Sequence, residues 1–364
     1  MLFCAVANAQ DKDTITIPKP NFITKDIKPF AIQEHPWQLA YYTKSVALKK
    51  KLAIKAELKS VKALLAQSKN KEAIKRIVKV TKSPLSEADL ETKAELYRLL
   101  GEFCLRFEIY KEAEQYLKIA LFHRITAPDF IGYGFIAQQL ADVNLRKSDF
   151  AEALKYNTVA LNEYAKALNI DSLASCYFQL SKIDYLSGDK GESEYILVKK
   201  ALPLFTRVEN RVGRMECFKE LGKICLEQSR FSEAKWFYIQ HNILAKILGN
   251  KREIFNSVVG LARAKFAVND FTIALGDLEE AQHRLNNLDG DNISARLVLR
   301  EAYKFYYLKK GNKTEADTFN RKIIELKQVI NKSKTSNNKI AVDILNTTKN
   351  KGNKIAYITA LANN

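Results

Sequence analysis

The strongest constraint on this chain is a phrase that returns about every 40 residues. Short polar runs ending in a small residue read Ser68-Lys-Asn-Lys-Glu-Ala73, Glu108-Ile-Tyr-Lys-Glu-Ala113, Ser148-Asp-Phe-Ala-Glu-Ala153 and Gly188-Asp-Lys-Gly-Glu-Ser193. They continue as Ser229-Arg-Phe-Ser-Glu-Ala234, Asn269-Asp-Phe-Thr-Ile-Ala274 and Gly311-Asn-Lys-Thr-Glu-Ala316. The closing small residues lie 40, 40, 40, 41, 40 and 42 positions apart. A period of this size, kept over seven copies, specifies stacked supersecondary units, each of which buries its apolar face only against its neighbours.

Each phrase has the chemistry of a corner between two helices. A polar or Gly turn is followed by an aromatic residue, Tyr110, Phe150, Phe231 or Phe271, with Lys190 in the fourth copy, and then by the small residue where two helices touch. Thirteen positions before the small residue of the five central copies stand Leu100, Leu140, Leu180, Leu221 and Leu261. Each is followed by Gly101, Ala141, Ser181, Gly222 or Ala262. A large residue beside a small one lets a second helix come close, and Leu117, Leu197, Tyr238 and Leu278 extend the buried stripe of that second helix. With only 13 Gly and 7 Pro in 364 residues, turn-rich β folds and low-complexity disorder are disfavoured.

These residues resemble the tetratricopeptide (TPR) signature, a Leu-Gly pair on helix A followed by a Tyr-x-x-Ala step into helix B. The resemblance covers residues 42–330, and its long period is similar to that of long-helix relatives such as kinesin light chain. It implies an all-α, right-handed α-solenoid of about seven helix-turn-helix units. The first copy departs with Ser60-Val61 and the seventh with Tyr303-Lys304, as end units with one solvated side can; the fourth departs inside the array. The domain organisation expected is a truncated secretory signal at 1–9, an extended leader at 10–38 holding Pro18, Pro20, Pro29 and Pro36, the solenoid at 39–330, and a basic flexible tail at 331–364. The signal reading rests on the apolar start and on Ala7-Asn8-Ala9; it points to a periplasmic or secreted bacterial protein, a cytoplasmic one being the alternative. The run at 331–339 has little to bury, so the solenoid is expected to end near 330, with a separate short helix at 340–345.

The resemblance also implies a function, a scaffold without chemistry of its own that binds a protein or peptide in a concave groove lined by helix A. In TPR geometry the residues 15 and 11 positions before the small corner residue face that groove. In the fourth to sixth copies these are Phe178 and Lys182, Lys219 and Lys223, and Val259 and Arg263, with Tyr185 nearby. Four cations with their charged ends open to solvent would favour an acidic segment or a C-terminal carboxylate. The TPR carboxylate clamp is not reproduced, because Lys223 stands where that motif wants Asn.

Other readings are weaker. The net charge of +18 is confined to the ends: residues 43–82 hold 13 Lys/Arg against 2 acids and residues 301–364 hold 13 against 5, while 83–300 hold 29 against 30. Basic ends attract nucleic acid, anionic lipid or acidic protein alike. A sensory region similar to the TPR arrays of bacterial histidine kinases is a second alternative to the scaffold. His35, His123, His241 and His283 form no His-Glu-x-x-His pair, and no phosphate loop or nucleophile elbow occurs. His241 takes the place of Ala120, Ala160 and Ala281 and is expected to pack within its helix. Cys104, Cys176, Cys217 and Cys225 are expected to be small buried hydrophobes, since the repeat spacing keeps them from bridging. No cofactor and no metal ligand is implied.

Overall fold

The computed structural model describes residues 36–67, 69–81, 89–125, 129–288, 290 and 292–350, and the expected signal and most of the leader lie outside them. The chain divides into two compact units, Met1–Leu48 and Lys49–Asn364. Of the first, residues 36–48 are described and are helical, the start of α1 (Pro36–Ala66).

In the second unit the helices pair in chain order, first helix with second. After α1 comes α2 (Asn70–Thr81), then α3 (Leu90–Arg106) with α4 (Tyr110–Arg124), and α5 (Phe130–Arg146) with α6 (Phe150–Lys166). The fourth copy pairs α7 (Ile170–Ser187) with α8 (Lys190–Ile196), a π turn (Leu197–Ala201) and α9 (Leu202–Arg207). Then follow α10 (Arg211–Glu227) with α11 (Phe231–Ile247), α12 (Lys251–Ala267) with α13 (Phe271–Asn286), and α14 (Ile293–Lys309) with α15 (Lys313–Asn350). From α2 onward consecutive helices pack on one another, α8 and α9 through the π turn between them, and no strand occurs among the described residues. The protein is an α-solenoid of TPR-like helix pairs.

The recurring phrase sets each corner through two residues. Its first residue takes the left-handed conformation, at φ 58° for Glu108, 61° for Ser148, 106° for Gly188 and 62° for Ser229. The next residue turns its N–H back to the carbonyl five positions earlier, Asp149 to Asn144 (2.9 Å) and Asp189 to Asp184 (2.8 Å), which closes the outgoing helix. The same Asp caps the incoming helix, its carboxylate accepting from the N–H of Glu152 or Glu192. Returning connections repeat the device: Leu168 has φ 53°, Asn169 donates to Tyr164 O (3.0 Å), and its side chain accepts from Ser172 N–H. Glycine fits the left-handed region without strain, and Gly188 supplies it; Leu168 is a branched exception there.

Every corner small residue is buried, Ala73, Ala113, Ala153, Ala234, Ala274 and Ala316 alike. Ser193 is buried with them. The Leu-small pairs allow the close approach expected of them: a Cβ on Gly101 would lie 2.6 Å from Leu117 Cγ, and one on Gly222 would lie 3.1 Å from the Tyr238 ring. The four cysteines Cys104, Cys176, Cys217 and Cys225 are buried thiols, and burial pushes Cys176 and Cys217 up to about 12.

The fourth copy is irregular in its second helix. From the corner residue to the cap of the next first helix the chain takes 16 residues in copies three and five (Ala153 to Asn169, Ala234 to Asn250) but 17 in copy four (Ser193 to Asn210). The extra residue is absorbed in the π turn, where Leu202 N–H reaches back to Leu197 O. Pro203, which lacks an N–H and would crowd the carbonyl four residues earlier in a regular helix, follows immediately.

The C-terminal end also departs from the reading of the sequence. Helix α15 runs unbroken through 331–350, where an end near 330 and a separate short helix were expected. Lys, Ser, Thr and Asn are only mildly unfavourable in helices, the stretch 331–350 contains no Gly or Pro, and a helix already nucleated by packing needs no new start. Packing does thin out there, because Ala316, Phe319 and Ile323 are buried while residues 331–336 are exposed. Lys334 nonetheless meets Glu108 in the α3–α4 corner, Nζ to Oε1 2.8 Å, and α15 approaches α2.

Candidate functional site

Successive first helices approach one another, α3 with α5, α5 with α7, α7 with α10, α10 with α12 and α12 with α14. No described pair of successive second helices does so to the same extent. The first helices of neighbouring copies therefore meet one another along one face of the second unit.

Along that face side chains from neighbouring copies touch. Arg98 of α3 lies between Glu95 (2.7 Å) and Glu102 (3.1 Å), and its guanidinium stands 5.4 Å from the centre of the Phe135 ring on α5. Gln138 of α5 donates to Ser175 Oγ on α7 (3.0 Å) and accepts from the Tyr164 hydroxyl (3.2 Å). In the fourth copy the Lys182 ammonium sits 4.4 Å from the centre of the Phe178 ring. One copy further on, Lys223 of α10 lies 4.0 Å from the Tyr185 ring, and the Tyr185 hydroxyl donates to Glu227, which also takes Lys190 at 2.9 Å. The residues singled out from the fourth and fifth copies are thus brought together in pairs, Phe178 with Lys182 and Tyr185 with Lys223. Arg263 of α12 is exposed and has no ion pair among the described residues.

The expectation of four open cations needs correction at Lys219. Its ammonium bonds to Glu216 and lies 3.6 Å from Glu253 Oε2, leaving its side chain 28% exposed. Glu253 also accepts from His241, whose Nε2 is 3.0 Å away. Burial alone would raise the Glu253 carboxyl, but the His241 hydrogen bond, the Lys219 charge and the Asn256 amide outweigh it and hold the group at about 2. Lys223 in turn has Glu220 at 3.9 Å. The fifth copy therefore presents a mosaic of both signs.

The reading of the sequence missed these acids. Glu216 and Glu220 stand three residues before Lys219 and Lys223, a spacing that places them on the same helix face and could have revealed them. Glu253 comes from the start of the next first helix, and no local spacing announces it. His241 is packed within α11, as expected, and is also one end of a joint between α11 and α12.

A second cluster lies outside this face. Ligand atoms of Glu194, Cys225 and Glu233 fall within 4.8 Å of one another. The Arg230 guanidinium serves all three, at 2.6 Å from Glu194, 3.0 Å from Cys225 Sγ and 3.3 Å from Glu233, so a cation of the chain already holds that position. His123 is half-buried against Tyr97, ring centres 5.7 Å apart, and that burial lowers its pKa.

No protein-family model matches this chain, and a search of curated proteins finds no match. Solved structures give the class. The apo form of RapI superposes with a TM-score of 0.63 at 14% identity over 77% of this chain and 99% of RapI. Aspartyl phosphate phosphatase F from Bacillus subtilis gives 0.60 at 14% identity over 82% of this chain and 77% of its own. NprR in complex with its cognate peptide NprX gives 0.54 at 14% identity over 80% and 94%. At these identities the likeness is one of fold. No described helix is long and apolar enough to cross a membrane.

Proposed function

We propose that this protein is a binding scaffold that holds an extended protein or peptide segment against the inner face of its first helices, without catalysing a reaction. The observation that carries the reading is the pair of lysines seated on aromatic rings in consecutive copies, Lys182 on Phe178 and Lys223 on Tyr185. An ammonium held by a ring keeps donors for an incoming carboxylate, while the ring edge offers apolar contact. Arg263, one copy further on, extends the same series, and Lys219, engaged by two carboxylates, serves to fix the wall. An acidic ligand segment fits these open cations better than a basic one. That a fold neighbour, NprR, is seen with a bound peptide supports the reading.

The test is capture of partners from the native host by crosslinking and mass spectrometry, followed by titration of the recovered segment. Lys182→Glu with Lys223→Glu should weaken that segment by about tenfold or more, while Lys219→Gln has a smaller effect. Equal binding by the double variant would remove the inner face from the account. The phosphatase among the fold neighbours makes a hydrolysis assay on an aspartyl phosphate protein a useful companion, and turnover would overturn the non-enzymatic reading. For the compartment, we propose export on the strength of Met1–Ala9, which N-terminal sequencing of the mature protein would decide.

A further inference from the structure

The outer side of the solenoid carries a surface that the inner-face reading does not use. On α11, Trp236, Ile239, Ile243 and Ile247 are 52%, 37%, 46% and 56% exposed. Their spacing of 3, 4 and 4 residues places them within one narrow stripe of the helix, three turns long. The third and sixth copies carry no large apolar residue at the corresponding positions: α6 has Lys155, Thr158, Asn162 and Lys166, and the α13 segment has Gly276, Glu279, His283 and Asn287, while α4 has Phe122 alone, 69% exposed. The stripe is therefore a property of the fifth copy rather than of the repeat. The fourth copy adds Tyr195 at the Trp236 position, 51% exposed. Trp236 is held edge-on against Phe218 and Phe237, ring centres 5.9 and 5.1 Å away, so its indole is oriented before anything binds.

The rim gives the occupant. Counting 100° per residue, Lys235 and Lys246 lie on the same flank of the stripe, and both are exposed. Neither has an ion pair among the described residues. On the other flank Glu233 is engaged by Arg230 at 3.3 Å. The charges beside the stripe that lie outside any ion pair are thus positive, at two points about 16 Å apart along the axis, with Asp277 of α13 the acid that feels Lys235.

We infer that this stripe docks an amphipathic α-helix of another protein, one with apolar residues at three- and four-residue spacing and acidic residues on the flank that meets Lys235 and Lys246. The 3-4 spacing matches ridges of a helix laid alongside. An oriented Trp at the head of an apolar row supplies the anchor such an interface needs. Two cations on one flank select the charge of the partner and set how it lies.

Trp236 reports its own burial. The chain has two tryptophans, and Trp37→Phe in the full-length protein leaves Trp236 as the single fluorophore. The probe is a synthetic helix of about three heptads with Leu at the core positions and Glu on the flanks. Expected are a saturable blue shift of Trp236 emission, loss of affinity as salt rises, and weakening of about tenfold or more in the Lys235→Glu, Lys246→Glu variant. That surface variant keeps the apolar stripe, and unchanged circular dichroism would show that it folds. An equal response to a Lys-flanked helix would overturn the inference. So would a shift produced only by phosphatidylserine vesicles, a shift that grows with the concentration of the protein alone, or no shift with any of them. Lys182→Glu with Lys223→Glu should leave this response intact, which separates failure here from failure of the inner-face reading.

Discussion

The fourth and sixth copies both contain more residues than their neighbours, and they accommodate the excess in different places. In the fourth, one residue is taken up inside the second helix as a π turn, and the link from α9 to α10 keeps the usual three residues. In the sixth, α13 is regular and the surplus goes into the connection, so that six residues separate Asn286 from Ile293. Both copies keep the same corner: Ser193 and Ala274 are buried, and Gly188 and Asn269 are left-handed. Corner chemistry is therefore independent of how regular the following helix is. A loop can absorb extra chain without disturbing packing, whereas a helix must widen a turn to keep Phe205 in the core.

The largest test of that comparison is at the corners. Ser193→Glu and Ala274→Glu should each cost ~4 kcal/mol or more, because both bury a carboxylate among apolar groups. Denaturant melts that show a clearly milder effect at Ser193 would mean that the fourth copy is looser than its corner suggests. Next come deletions within second helices. Removing Asn162 from regular α6 should cost ~3 kcal/mol, since the residues beyond it rotate and Tyr164 leaves the core. Removing Lys199 should cost much less, because the π turn can close to an α turn and keep the register. Equal losses would refute the assignment of the extra residue to that turn.

How much of this was legible in the sequence depended on the range of the interaction. The corners were readable because the residues that build them are adjacent: a turn residue, then in the third, fourth and seventh copies a capping Asp or Asn, and a small residue four positions on. The Leu-small pairs and the buried cysteines followed from the same period. The π turn was half legible. The 41-residue spacing and the loss of the aromatic marked the fourth copy, yet Pro203, the residue that identifies the second helix as the irregular part, was overlooked. The candidate groove was legible as positions and not as electrostatics, because Glu253 and His241 meet Lys219 only through stacking of one copy on the next. The continuity of α15 is hidden by the polarity of 331–339, which removes burial without breaking the helix, since 331–350 holds no Gly or Pro.

Acid should pull the two regions in opposite directions. Asp184 in the fourth copy is raised to about 6 by burial and then by Glu192 and Asp189, above its ordinary 3.8, so its protonation strengthens that copy as pH falls from about 6 toward 3.8. Glu253 at the joint between the fifth and sixth copies is held at about 2, below its ordinary 4.5, so its contribution is complete above 4.5 and is lost as pH falls toward 2. Hydrogen exchange should therefore slow in α7 and α8 between pH 7 and 5 and quicken in α11 and α12 below 4.5, after correction for intrinsic rates. The smallest effect belongs to a returning connection, where Gly249 serves the fifth copy but Leu168 and Glu209 take the left-handed place in the third and fourth. Leu168, at φ 53° and 84% exposed, should gain up to ~1 kcal/mol as Gly, and a melting temperature that fails to rise would show its backbone to be relaxed already.

The contact between Lys334 and Glu108 changes what kind of polymer this chain is. A row of units that touch only their neighbours unravels from its tips inward, and damage at one tip is not felt at the other. A bridge from the last helix to the second copy turns the row into a loop with a clasp. Because the clasp is an exposed ion pair worth ~1 kcal/mol at most, it yields to ordinary salt. The same molecule should then melt as one cooperative body in dilute buffer and as a fraying row in concentrated salt.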